Sequence, residues 1–266
     1  MGRRSGGIRM QGARYCRIEC LELALVETFG RVRQVPRHAA IASHRIPLGL
    51  LLLSRGQLTA EQLRTALAAQ RAAGHGKIGA WLQELGFATE GEVTAALARQ
   101  WSCPVLRNDL GKIGASHFPS IPEMLLESFQ MMPVDLVEAT GTLLIAFSEG
   151  IDHTALYAIE QMLGYHTESC LVSPSTLQKS LQALAQRRVS KDVILDRVED
   201  AAECAHIIGS YTAKLHAEEI RMARCGKHLW VRLERIGHDA VNLVLTDPEE
   251  HHDNSPLSPA IAFSPV

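Results

Sequence analysis

Residues 46–70 read IPLGLLLLSRGQLTAEQLRTALAAQ, and residues 77–100 read KIGAWLQELGFATEGEVTAALARQ. Laid over one another at an offset of 30, the two stretches match at seven positions: Leu48 with Ile78, Gly49 with Gly79, Leu52 with Leu82, Gly56 with Gly86, Leu63 with Val93, Leu67 with Leu97, and Gln70 with Gln100. Self-similarity at a fixed period marks a duplicated structural unit. Each copy has a mechanical reading. A short helix carries the LGxxL face, and Gly56 or Gly86 supplies the left-handed residue that ends it. Thr59 with Gln62, and Thr89 with Glu92, have the spacing of capping boxes that open a second helix. On that helix Leu63 and Leu67, or Val93 and Leu97, sit four apart and share a face. The turn AAGHGK at 72–77 separates the copies. Residues 46–101 are therefore expected to form two helix–turn–helix pairs in one four-helix unit. Core packing accounts for most of the leucines, but it leaves the doubled glycine and glutamine poorly explained.

Around this repeat the chain is ordinary globular material. Its 266 residues are 46% apolar and 21% charged, enough for one large domain or two small ones. A net charge of −2 gives no basic field for nucleic acid, and 5% aromatics argue against a base-stacking platform. The cysteines Cys16, Cys20, Cys103, Cys170, Cys204 and Cys225 form no CxxC pair and have no histidines at zinc-finger spacing. Cys16 and Cys20 are four apart, a spacing that can share a helix face, and read as two ordinary buried thiols, a metal there being the alternative. Such usage suits a reducing compartment. No apolar run approaches the roughly 18 residues of a membrane span, so no direct membrane insertion is expected. The basic start MGRRSGGIRM resembles a signal n-region, but Glu19, Glu22 and Glu27 interrupt the apolar stretch behind it. The reading is a cytoplasmic protein whose residues 1–45 are a poorly patterned extension, with Met10 as an alternative start.

Downstream, residues 120–130 read as a short helix behind Pro122, and MMPVDLV and TLLIAFS as strands around the turn EATG. DHTALYAIEQMLGY is an amphipathic helix with Leu156, Ile159 and Leu163 on one face and Gly164 at its end. TESCLVS is a strand, and Ser173-Pro174 opens a helix to about 187. Residues 102–187 thus make a small α/β sandwich. Residues 188–246 read as a charged linker, a helix and a β-hairpin, with strands near 219–224 and 228–235. Residues 247–266, with Pro248, Pro256, Pro259 and Pro265, read as a disordered tail. The fold class is α+β: a four-helix repeat unit, a small α/β sandwich and a helix–hairpin subdomain.

The doubled LGxxLxxxGxxxxxxLxxxLxxQ pattern resembles the N-terminal MshEN-type domain (GspE N-terminal domain) of type II secretion and type IV pilus assembly ATPases. IPEMLLESFQMMPV extends the resemblance, which spans 46–187, roughly half of the chain. AEEIRMARCGKHLWVRLERIGHD faintly resembles the hairpin of the second subdomain of those ATPases, without its Asp and His; Glu218, Glu219 and Arg221 stand in that stretch. The family resemblance implies cyclic di-GMP as ligand, bound by both motifs together: Leu48, Gly49, Leu52, Gly56, Leu63, Leu67 and Gln70 from one, and Lys77, Ile78, Gly79, Leu82, Gly86, Val93, Leu97 and Gln100 from the other. In the family an arginine directly before each LG contacts guanine or phosphate. Here that position is Pro47 in the first copy, without charge or N–H, and Lys77 in the second, a charge without the guanidinium fork. Arg45 lies two residues before Pro47.

Other motifs are absent. The Gly-Lys pairs at 76–77, 111–112 and 226–227 are followed by Ile78, Ile113 and His228, so no GxxxxGK[ST] loop and no ATP site exists. There is no GxSxG or HExxH. His206, His216 and His228 fall in the last folded region without a triad, His251 and His252 lie in the tail, and Asp135, Glu138, Glu218 and Glu219 read as surface charges. The expectation is a non-catalytic protein with no cofactor. One reading is a cyclic di-GMP sensor of a secretion or pilus machine. The alternative is a docking module with a degenerate nucleotide site. The partner expected in either case is the inner-membrane platform or the ATPase, which would place the chain peripherally at that membrane.

Overall fold

The first elements lie where the sequence shows least pattern. The computed structural model describes residues 7–34, 45–106, 120–187, 192–196 and 200–246. In it β1 (Ile8–Met10) and β2 (Ala13–Tyr15) pair antiparallel, and α1 (Ile18–Gln34) comes directly after them. Leu21, Leu25 and Phe29, four apart, form a stripe that is 0%, 0% and 4% exposed.

The repeat comes next. Helix α2 (Leu48–Ser54) and α3 (Ala60–Ala73) form the first copy, and α4 (Ile78–Glu84) and α5 (Glu90–Gln100) the second. Local chemistry sets their ends. The Thr59 hydroxyl accepts from the Gln62 amide at 3.1 Å while the Gln62 side chain accepts from the Thr59 amide at 2.9 Å; Thr89 and Glu92 repeat this at 3.3 and 2.8 Å. Gly56 and Gly86 hold the same left-handed φ, +69°.

Then come α6 (Glu123–Ser128), β3 (Met131–Val137), β4 (Thr142–Phe147), α7 (His153–Leu163), β5 (His166–Leu171) and α8 (Pro174–Arg187). The strands make a three-stranded sheet in the order β3-β4-β5, with β4 and β5 parallel and α7 as their crossover. The last elements are β6 (Val193–Asp196), α9 (Ala201–Leu215), β7 (Glu219–Cys225), β8 (His228–Glu234) and β9 (Val241–Thr246). With β1 and β2 they form a six-stranded sheet ordered β2-β1-β7-β8-β9-β6.

Alternation divides this second sheet between two cores. Ile220, Val231, Leu233, Leu243 and Leu245 face α1 and α9. Ala223, Cys225, Trp230 and Val244 face the first sheet's core with Phe147, Ile159 and Met162. Asn242, 1% exposed, pins the junction: its carbonyl accepts from Trp230 Nε1 at 3.0 Å, and its amide donates to Asp192 at 2.9 Å and to Ser120 Oγ at 3.3 Å.

The chain is a mixed α/β fold with helices and strands in two sheets, in keeping with the α+β class. Three expectations change. The stretch 1–45 is no mere extension: within it, residues 8–34 supply two strands and a helix to the second sheet, and Met10 is a buried strand residue paired with Ile220. The linker contains β6, an edge strand parallel to β9. The final hairpin is the centre of a larger sheet. The strands β1 and β6, of three and four residues with parallel partners far along the chain, leave no local signature. The tail 247–266, with His251 and His252, lies outside the described residues.

Candidate functional site

The repeat residues separate into layers. Leu48, Leu52, Leu82 and Val93 are buried in the core of the helical unit with Ala66 and Ala96. Gly49 and Gly79 are buried, Leu63, Leu67, Gln70, Ile78, Leu97 and Gln100 half-buried, and Gly56, Lys77 and Gly86 exposed.

The doubled glycine and glutamine have packing reasons after all. A Cβ on Gly49 would lie 2.5 Å from Leu63 Cδ1, and one on Gly79 would lie 3.0 Å from Val93 Cγ1 and 3.2 Å from Leu48 Cδ2. Leu63 and Val93 are themselves repeat equivalents, so both glycines let a short helix rest on the longer helix of its own copy. The glutamines work across copies. Gln70 Nε2 donates to the Gly76 carbonyl at 2.7 Å, and Gln100 Nε2 donates to the Ile46 carbonyl at 2.7 Å. Gly76 and Ile46 are also 30 apart. Each long helix therefore ends in an amide that ties down the loop entering the other copy's short helix. Both bonds are exposed, so Gln70→Ala or Gln100→Ala is expected to cost about 1 kcal/mol in urea denaturation, and the double variant about the sum.

These latched loops carry the cations. The Arg45 guanidinium carbon lies 3.2 Å from the centre of the Trp101 ring, a cation–π stack. Trp101 abuts the main chain at Gly150, where a Cβ would meet its ring at 2.8 Å, and its ring centre lies 6.1 Å from that of His153. Lys77 Nζ donates to the carboxylate of Glu149. Arg45, by way of Trp101, and Lys77 therefore converge on one corner, Glu149-Gly150, between β4 and α7. Sequence reasoning missed Trp101, Glu149 and Gly150. The adjacency of Trp101 to Gln100 was a signal for the first; nothing local marks the other two.

The other candidates do not assemble into a catalytic set. His206 Nδ1 pairs with Glu22 at 3.2 Å, His216 takes the left-handed cap of α9, and His228 Nδ1 meets Thr246 Oγ1 at 3.2 Å. Glu219 bonds Arg9 at 3.0 Å and Arg221 at 3.2 Å. Among the described residues no three His, Cys, Asp or Glu side chains are grouped to hold a metal, and no helix is long and apolar enough to cross a membrane. A cleft of about 500 Å³ beside Lys214, Leu233, Arg235 and His238 is lined by none of the repeat residues.

No protein-family model matches the chain, and no curated protein does. Among solved structures, MshE with cdg is 30% identical over 98% of its own length and 52% of this chain, with a TM-score of 0.44. Over about half of its length the chain resembles the MshEN-type N-terminal domain. Two structures of the XpsE N-terminal domain are also similar, at 20% and 21% identity, covering 51% and 50% of this chain and 92% and 90% of theirs, with TM-scores of 0.40 and 0.32.

Proposed function

We propose that this chain is a non-catalytic regulator of a type II secretion or type IV pilus-like machine, and that its duplicated unit senses cyclic di-GMP. The observation that carries the reading is the convergence of Arg45 and Lys77 at the Glu149-Gly150 corner. A cyclic dinucleotide presents two phosphates and two guanines. A guanidinium already flattened on an indole is oriented for a guanine edge or a phosphate before the ligand arrives. Arg45 supplies the fork that Pro47 lacks, from two residues upstream. Lys77 supplies the second charge by exchanging Glu149 for phosphate. The 30% identity to MshE, solved with cdg, points the same way.

A docking module is the second reading, and a specific observation favours it: Lys77 is already paired with Glu149, while Ile46 and Leu50, at the start of the first copy, stand 58% and 49% exposed. An apolar, charge-satisfied face suits a protein partner.

Calorimetric titration of cyclic di-GMP into the full chain separates the two. The sensor reading expects a Kd of micromolar or tighter, about −8 kcal/mol. Arg45→Ala and Lys77→Ala are each expected to weaken binding about tenfold, the scale of one charge-assisted contact. Glu149→Gln, which frees Lys77, is expected to tighten it. Absence of heat and of any thermal shift at millimolar ligand sinks the sensor and leaves the docking module.

A further inference from the structure

The cysteines differ sharply in setting. Cys170, Cys204 and Cys225 are buried and Cys103 is half-buried. Burial pushes the Cys170 and Cys225 thiols up to about 12, so both stay protonated and inert near neutrality. Cys16 and Cys20, expected to be buried, are instead exposed because Cys16 precedes α1 and Cys20 lies off its buried stripe, and their sulfurs lie 3.9 Å apart in hydrogen-bond contact. Cys16 sits between β2 and α1, and Cys20 lies in the first turn of α1. The hydrogen bond to Cys16 holds the Cys20 thiol above its ordinary value, while the neighbouring Arg17 pulls the other way. Bringing the sulfurs to the roughly 2.05 Å of a disulfide needs about 1 Å of movement from each, which side-chain rotation at an exposed corner supplies.

We propose that Cys16 and Cys20 are a redox-modification site, a dithiol that closes reversibly to a disulfide when a peroxide removes two electrons. One sulfur, as thiolate, attacks a peroxide oxygen. The S–O bond forms, the O–O bond breaks, and the second oxygen leaves as water, giving a sulfenic acid. The other sulfur, as thiolate, attacks that sulfenic sulfur. The S–S bond forms, the S–O bond breaks, and hydroxide leaves and is protonated to water. Two thiols and one hydrogen peroxide become one disulfide and two waters. Thiol exchange with a small-molecule dithiol reverses the step. The bridge would fasten the end of β2 to the first turn of α1. Those two elements, with β1, join the N-terminal segment to the second sheet.

The test treats the full reduced chain with a small excess of hydrogen peroxide, alkylates the remaining thiols and digests with trypsin. Cleavage after Arg14, Arg17 and Arg31 cuts between the two cysteines, so a disulfide joins peptide 15–17 to peptide 18–31. The expected result is that cross-linked pair, its loss in Cys16→Ser and in Cys20→Ser, and its disappearance after dithiothreitol. Three results overturn the proposal: both cysteines alkylated after peroxide, a cross-link that maps to another pair such as Cys103 with Cys170, or sulfinic and sulfonic products at either position without the bridge.

Discussion

A chain that begins at Ile46 is expected to lose its six-stranded sheet. Met10, Leu21, Leu25 and Phe29 are 2%, 0%, 0% and 4% exposed, and they cover the face presented by Ile220, Val231, Leu233 and Leu243. Full burial of one large apolar side chain contributes about 1.5–3 kcal/mol. Four of them contribute roughly 6–12 kcal/mol, as much as the whole stability of a typical domain. The seat of α1 is also shaped for it: a Cβ on Gly209 would meet Glu22 Oε1 at 2.5 Å, so α9 carries a glycine where α1 crosses. Limited proteolysis of the 46–266 chain is expected to leave residues 46–187 resistant and to digest 200–246, where the full chain resists in both. Equal resistance and an equal unfolding midpoint in the two chains would show α1 to be dispensable.

How legible this was depends on how local each feature is. The repeat was readable because its devices are contained within a few residues: Thr59 with Gln62, Thr89 with Glu92, and the left-handed Gly56 and Gly86. The strands on either side of EATG were readable for the same reason, since a hairpin needs only a turn and two β-rich flanks. The α1 stripe is written at four-residue spacing, but Glu19, Glu22 and Glu27 interleaved with it point the reading toward an interrupted signal segment. The short strands β1, β2 and β6 had no pattern to read. The glutamine latches were hidden for a subtler reason. Their acceptors are main-chain carbonyls, and the residues that own them, Gly76 and Ile46, share no side chain that a comparison of the copies would register. The cation corner was hidden because Lys77 and Glu149 are 72 residues apart.

That corner gives a severe single substitution. Gly150 holds φ at +141°, where side chains are rarely found, and a Cβ would lie 2.8 Å from Trp101 Cζ2 and 3.1 Å from Cε2 and Nε1. Strain in such a backbone region costs about 1–3 kcal/mol. Forcing a packed ring aside adds about 1–3 kcal/mol more, and an indole cannot yield by turning a flexible end away. Gly150→Ala is therefore expected to lower stability by about 2–6 kcal/mol in urea or thermal denaturation, with a changed tryptophan emission as Trp101 shifts. Gly91→Ala is the matched control. Gly91 is exposed in α5 with nothing within 4 Å of an added Cβ, so alanine there is expected to be neutral or to stabilise by up to about 1 kcal/mol. The pair also bears on function, because Arg45 rests on the ring that Gly150→Ala displaces. If Arg45 on Trp101 recognises the nucleotide, Gly150→Ala weakens cyclic di-GMP binding under conditions where the variant is still folded, and Gly91→Ala leaves it unchanged. Equal affinity in the two folded variants would separate the Trp101 platform from ligand recognition, and Lys77 would then be the cation at the corner, among the described residues, left to account for binding.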